Sequence, residues 1–109
     1  MLLNLVIGIL PPLFIGLLCI PMIQGSVGPN DTYGFRTRKT QSSPEIWYAA
    51  NRAAGKYLVW ACGASILTNV ALCILLGSDS ELIAIWMMFG LLAWIFAALA
   101  MSFKALRKL

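Results

Sequence analysis

Three long apolar runs and one polar interval set the pattern of the chain. Residues 1–23 are apolar apart from Asn4, residues 57–76 contain no charge, and residues 82–103 are again uncharged. Each run is long enough at about 1.5 Å per residue to cross a hydrocarbon core of about 30 Å. Between the first two lies the only long polar stretch, residues 29–56, and residues 77–81 make a short acidic break before the third run. The pattern predicts an all-α membrane protein, a single domain over residues 1–109. Its three transmembrane helices span about 2–23, 57–76 and 82–103, and the last two form an antiparallel hairpin.

Residues 1–23 carry no Lys or Arg, since the first basic residue is Arg36. A cleaved signal peptide starts with basic residues, so this run is expected to be a retained helix, kinked at Pro11 and Pro12. Gly8, Pro12 and Gly16 recur every four residues and offer a thin face to a neighbour. In the second run Ser65, Thr68 and Asn69 lie near the bilayer middle. Ala61, Ser65 and Asn69 share a face expected to meet protein, with Asn69 as packing glue or as lining of a ligand groove. Gly90, Ala93 and Ala97 mark the corresponding small-residue face of the third run, and Trp86 and Phe103 sit at its two interfaces.

The polar interval has two halves. Gly25, Ser26, Gly28, Pro29, Asn30, Asp31 and Gly34 are turn formers and predict a structured loop. Ser42-Ser43-Pro44-Glu45 then signals a helix start: either serine can cap, proline suits the first turn, and Glu45 stands three residues after Ser42 as in a capping box. Beyond it, Trp47, Ala50, Ala54, Tyr57 and Ala61 fall on one face, and Glu45, Tyr48, Arg52 and Lys56 on another. That is an amphipathic segment at headgroup level before the second span, or a long helix projecting from the membrane. Gly55 is the expected site of a bend.

Composition supports the membrane class and narrows the function. Hydrophobic residues make up 61% of the 109 residues and charged residues only 11%, with a mean hydropathy of +0.85; a soluble domain carries roughly a quarter charged residues. All eight basic residues lie in the first loop or the C-terminal tail, and none at the N-terminus or in the second loop. The positive-inside rule then predicts a cytoplasmic loop at 24–56, an external turn at 77–81, and an N-out, C-in topology. The same rule accounts for the net charge of +4 without nucleic acid as a partner.

Candidate chemistry is sparse. There is no His, and Cys19, Cys62 and Cys73 all fall in apolar runs without metal-ligand spacing, so neither a metal nor a cofactor is expected. Asp31 and Glu45 are the only acids of the first loop, and they read better as turn and cap residues than as an acid/base pair. The inventory argues against an enzyme. Arg36, Arg38 and Lys39 either fix topology or attract anionic lipid or an acidic partner. Arg36, in its turn-rich setting, is placed to cap backbone carbonyls or to pair with Glu45. Trp47 reads as an interfacial anchor or part of a recognition surface, and Asn51 as a cap or a cross-link from loop to helix.

The string Pro29-Asn30-x-x-Tyr33-Gly34-x-Arg36-Thr37-x-x-Thr40-x-x-Ser43-x-x-x-Trp47-x-x-Ala50-Asn51-Arg52-x-Ala54-Gly55 resembles the signature of the SdpI family. These are bacterial membrane proteins typified by the immunity protein against the sporulation-delaying-protein toxin. The resemblance implies a non-enzymatic multi-pass protein of the bacterial cell membrane that protects against, or senses, a hydrophobic, membrane-active peptide toxin. In the typical member it also implies signalling through a cytoplasmic regulator, a repressor held at the membrane. This chain is shorter and resembles the C-terminal half of that member. The mechanism expected for such a function is that the loop from Asn30 to Asn51 folds against the cytoplasmic helix ends, fixed by Arg36, Trp47 and Asn51, while a groove near Ser65 and Asn69 meets the peptide. Three spans enclose little interior, so a homo-oligomer or a larger membrane complex is expected. The alternative is a small accessory subunit of such a complex. A transporter would need intramembrane charges that this chain lacks.

Overall fold

The computed structural model describes residues 2–76 and 81–109. It holds three helices, α1 (Leu2–Gln24), α2 (Pro44–Leu76) and α3 (Glu81–Arg107), with a 3-10 turn at Thr40–Ser42 in the α1–α2 loop and no strand among the described residues. All three helices are long and apolar enough to span a membrane. The expected acidic turn at 77–81 falls on residues 77–80, outside the described residues, except for Glu81, which opens α3.

α2 has 33 residues, about 50 Å at 1.5 Å per residue, whereas about 20 residues cross the hydrocarbon. The amphipathic segment and the second span are therefore one helix, the longer of the two forms anticipated. No break occurs at Gly55, because Gly55 faces Cys19 and Ile23 of α1: a Cβ there would lie 2.8 Å from Ile23 Cγ1 and 3.1 Å from the Cys19 carbonyl oxygen. The glycine permits close approach within a continuous helix. The two faces of the segment are as the periodicity predicts. Trp47, Ala50, Ala54 and Ala61 are buried, and Glu45, Tyr48, Arg52 and Lys56 are exposed.

α2 is the centre of the bundle: α1 and α3 each pack along it and touch one another only sparsely. The α1 face is the predicted one. Pro12 is buried, Gly8 lies against Met87 and Asn69, and Gly16 lies against Cys62. α1 runs as one helix through Pro11, Pro12 and Pro21, and Pro12 has no N–H to give the Gly8 carbonyl four residues earlier. In hydrocarbon that carbonyl needs another donor. Asn69 of α2 supplies it, Nδ2 to the Gly8 oxygen at 2.8 Å. Asn69→Leu is accordingly expected to destabilise the bundle by about 1 kcal/mol, within the roughly 0.6–2 kcal/mol of intramembrane hydrogen bonds. Denaturant titration in mixed micelles checks it, and an unchanged midpoint would mean that the carbonyl is satisfied otherwise.

α3 departs from expectation. Ala93 and Ala97 are exposed and Gly90 has open space beyond its Cα. The packing face is instead Ile83, Met87, Ala98, Ser102 and Leu106, with the long, flexible Met87 side chain reaching Cys73 of α2 and lying over Gly8 of α1. Cys73, Ile83 and Met87 form one core cluster, with Leu5 and Ile7 of α1 against it. A second cluster, Cys19, Met22 and Ala54, lies at the loop end of the bundle.

Candidate functional site: a loop locked over the helix ends

The loop between α1 and α2 starts from a glycine stop. Gly25, at φ +73°, lets the Gly25 N–H reach the Met22 carbonyl and the Ser26 N–H reach that of Pro21, a Schellman ending. The Ile23 carbonyl is taken by Arg52 of α2, whose Nε–H donates at 3.2 Å. A basic side chain at a helix C-terminus also opposes the negative end of its dipole.

Asn30 then ties the loop to itself. Its Oδ1 accepts from the N–H groups of Thr32 and Tyr33 at 2.8 and 2.6 Å. Its Nδ2 donates to the carbonyls of Gly28 and Tyr33, both at 2.8 Å. One short amide thus satisfies four backbone groups, as Asx turns do, and Gln41 Nε2 donates to its carbonyl at 2.8 Å. Pro29, next to it, is exposed. Thr37 and Thr40 cap one another: each backbone N–H donates to the other's hydroxyl, at 2.7 and 3.1 Å, and Thr40 is fully buried. Ser43 is the cap of α2, its Oγ accepting from Ile46 N–H at 3.2 Å. Because Ser43 and not Ser42 caps, Glu45 sits one position short of the capping-box place; as an acid in the first turn it still suits the positive end of the helix.

Two side chains of α2 pin this loop from below. Asn51, 1% exposed, accepts from Phe35 N–H at 2.7 Å and donates to the Phe35 and Trp47 carbonyls at 3.3 and 3.0 Å. The amide pairs with Phe35 much as a neighbouring strand would. Trp47 is fully buried, with its Nε1–H on the Val27 carbonyl at 2.8 Å. It is therefore neither an interfacial anchor nor a recognition surface: with its one donor and its ring both engaged, it is an internal post. Gly34 crosses directly over both. Its φ is +115°, and a Cβ there would lie 2.7 Å from Asn51 Oδ1 and 3.2 Å from the Trp47 ring, so no other residue fits.

Phe35 and Tyr33 face the bundle. Both pack on the cluster of Cys19, Met22 and Ala54, and Phe35 meets Phe103 of α3 edge to face, centroids 5.1 Å apart. Desolvation pushes the Tyr33 phenol above its ordinary pKa. Arg36 is exposed and its NH1 donates to the Asp31 carbonyl, which realises the carbonyl-capping expectation in place of a pair with Glu45.

The intramembrane candidates divide. Ser65 and Asn69 are buried beneath α1 and bonded to each other at 3.4 Å; no open groove lies over them because α1 covers that face. Thr68 is exposed and turns its hydroxyl back onto the Ala64 carbonyl of its own helix at 2.7 Å. What opens instead is a cleft of about 510 Å³ between α1 and α3, under the loop, with Leu18, Leu58, Leu99 and Phe103 among its walls and Arg36 and Thr37 at its polar end. Sequence reasoning gives no sign of it, since it exists only because α1 and α3 splay apart. Among the described residues, no three or more His, Cys, Asp or Glu side chains gather as a metal site.

Three membrane-length helices, two of them packed along the central α2, with a hydrogen-bonded loop over one end, define a small helical multi-pass membrane protein. A sequence model of the SdpI/YfhL protein family matches residues 26–104, and the chain belongs to that family. No curated relative and no solved structure matches it.

Proposed function

We propose that this SdpI/YfhL-family chain gives its cell immunity to, or senses, a membrane-active peptide toxin, with the locked loop as its working part and a cytoplasmic regulator as the recipient of any signal. The loop and C-terminus face the cytoplasm of a bacterial cell in this reading, in keeping with the gathering of all eight basic residues toward the loop end. One observation carries the proposal. The polar residues of the family signature are spent on fixing the shape of one loop above the helix ends, and no reactive constellation is formed among the described residues. A rigid, non-catalytic surface coupled to three transmembrane helices suits recognition and signalling, and the reading is non-enzymatic.

The chain expressed in a toxin-sensitive bacterium is expected to protect against a membrane-active peptide, and Arg36→Ala, at equal membrane insertion, to lose that protection. Full protection by Arg36→Ala and by Asn51→Ala would remove the loop from the mechanism. A second reading, a homo-oligomer or an accessory subunit of a larger membrane complex, is favoured by α3, whose Leu82, Trp86, Phe89, Leu92 and Phe96 are exposed. A stoichiometric large partner retained in mild detergent would support it.

A further inference from the structure

We propose that the cleft between α1 and α3 is a binding site for an anionic phospholipid, with an acyl chain between the helices and the phosphate on Arg36. The inference stands apart from toxin immunity and concerns what occupies the cleft in a resting membrane.

The first ground is shape. The cleft's volume of about 510 Å³ falls within the roughly 300–1,000 Å³ of small-molecule sites. Its walls are apolar and its mouth is bordered by Leu18 and Phe103, which are 43% and 45% exposed. In a bilayer such a space does not stay empty, and acyl chains are the apolar material adjacent to it.

The second ground is the polarity of its two ends. Its polar lining lies beneath the loop, where Tyr33, Arg36 and Thr37 stand. Among the described contacts Arg36 has one partner, the neutral Asp31 carbonyl. That bond orients the guanidinium without neutralising it, and leaves further N–H groups for a phosphate, which an arginine fork matches bidentately. The surroundings reinforce the sign. Phe35 against Phe103 and Arg52 on the α1 terminus bring the loop, the start of α2 and the end of α3 together. That end holds all eight basic residues, against only Asp31 and Glu45. An apolar slot with one cationic end is complementary to an amphiphile with an anionic head, lying parallel to the helices as bilayer lipids do. A helical peptide would bring backbone width and a second end for which the cleft has no polar partner.

The test uses the full chain in vesicles carrying a trace of phosphatidylglycerol or phosphatidylcholine with a photoactivatable group near the end of one acyl chain. Crosslinks are mapped by mass spectrometry. Phosphatidylglycerol is expected to label Leu58 and Leu99 above the lipid-facing Leu10 and Phe14, and to exceed phosphatidylcholine there. Arg36→Gln should cut that excess about fivefold, the effect of one basic residue at a membrane surface, and Arg36→Lys should keep most of it. Leu18→Trp, at a position already partly exposed, narrows the mouth with the charge intact and should abolish labelling of Leu58 by either lipid. Should Arg36→Gln disturb the loop, the Leu18→Trp result decides. Even labelling over the whole apolar surface, equal labelling by the two lipids, or indifference to both substitutions would overturn the proposal. So would a cleft labelled only when a hydrophobic peptide carries the probe.

Discussion

Asn51→Ala is expected to release the loop from the bundle while leaving the three helices formed. The wild-type amide makes three hydrogen bonds from a site only 1% exposed. Truncation leaves the N–H and carbonyl of Phe35 facing a small void without partners. The Trp47 carbonyl loses less, because it also lies within the α2 ladder. Each unsatisfied buried backbone group costs about 1–3 kcal/mol, so the loop loses about 3 kcal/mol, a large share of any local stability. Water then reaches Phe35 by opening of residues 27–40, not by unfolding of the membrane spans. Asn51→Asp should not rescue. Its oxygens still accept from Phe35 N–H, but they turn one acceptor toward the carbonyls of Phe35 and Trp47, where a donor is needed. Limited proteolysis in detergent reads the effect directly: cleavage within residues 27–40 should appear in both variants with helix content unchanged. A loop as resistant as wild type would mean that Trp47 and Arg52 hold it alone.

Much of this organisation is legible in the sequence because it depends on local spacing. Uncharged runs of bilayer length give three spans. A four-residue recurrence of Gly8, Pro12 and Gly16 gives the contact face of α1, and the split of Trp47, Ala50 and Ala54 from Glu45, Tyr48 and Arg52 gives the buried side of α2. Asn30, Ser43 and the glycine exit at Gly25 act within a few residues of themselves, so turn and cap chemistry finds them. What escapes such reading is set by partners distant in sequence. Trp47 resembles an interfacial tryptophan until the Val27 carbonyl, twenty residues earlier, is seen to take its N–H. Arg52 resembles a solvated charge until it is found on the terminus of α1. The small residues of α3 carry no mark distinguishing lipid from protein, and Gly90 and Ala93 prove to face outward. The cleft belongs to this second kind, a product of how far apart α1 and α3 stand. The family signature therefore reads as two interleaved sets, one that shapes the loop and one, Trp47, Asn51, Arg52 and Gly55, that fastens it to α1 and α2.

Gly55 supplies the largest expected loss in the bundle itself. A Cβ at this position would meet Ile23 Cγ1 at 2.8 Å, the Cys19 carbonyl oxygen at 3.1 Å and the Ile23 nitrogen at 3.3 Å. The isoleucine side chain can turn aside; the two backbone atoms cannot move unless α1 moves. Gly55→Ala gains about 1 kcal/mol of helix propensity and loses about 1–3 kcal/mol to overpacking, for a modest net destabilisation. Gly55→Leu has no such compensation. It drives the end of α1 outward, and the displacement also breaks the Arg52 bond to the Ile23 carbonyl at 3.2 Å and opens the cluster of Cys19, Met22 and Ala54. The combined cost should exceed about 4 kcal/mol, in the range that marks failure of a packed contact. Gly63, eight residues along the same helix, is the internal control: a Cβ there meets nothing within 4 Å, so Gly63→Ala should raise the thermal midpoint in detergent through helix propensity alone. The two alanine variants are thus expected to move the midpoint in opposite directions, with Gly55→Leu far below either. Equal behaviour at the two glycines would show that α1 does not pass against α2 at Gly55, and the attachment of the loop to the bundle would have to be redrawn from Asn51 and Trp47 alone.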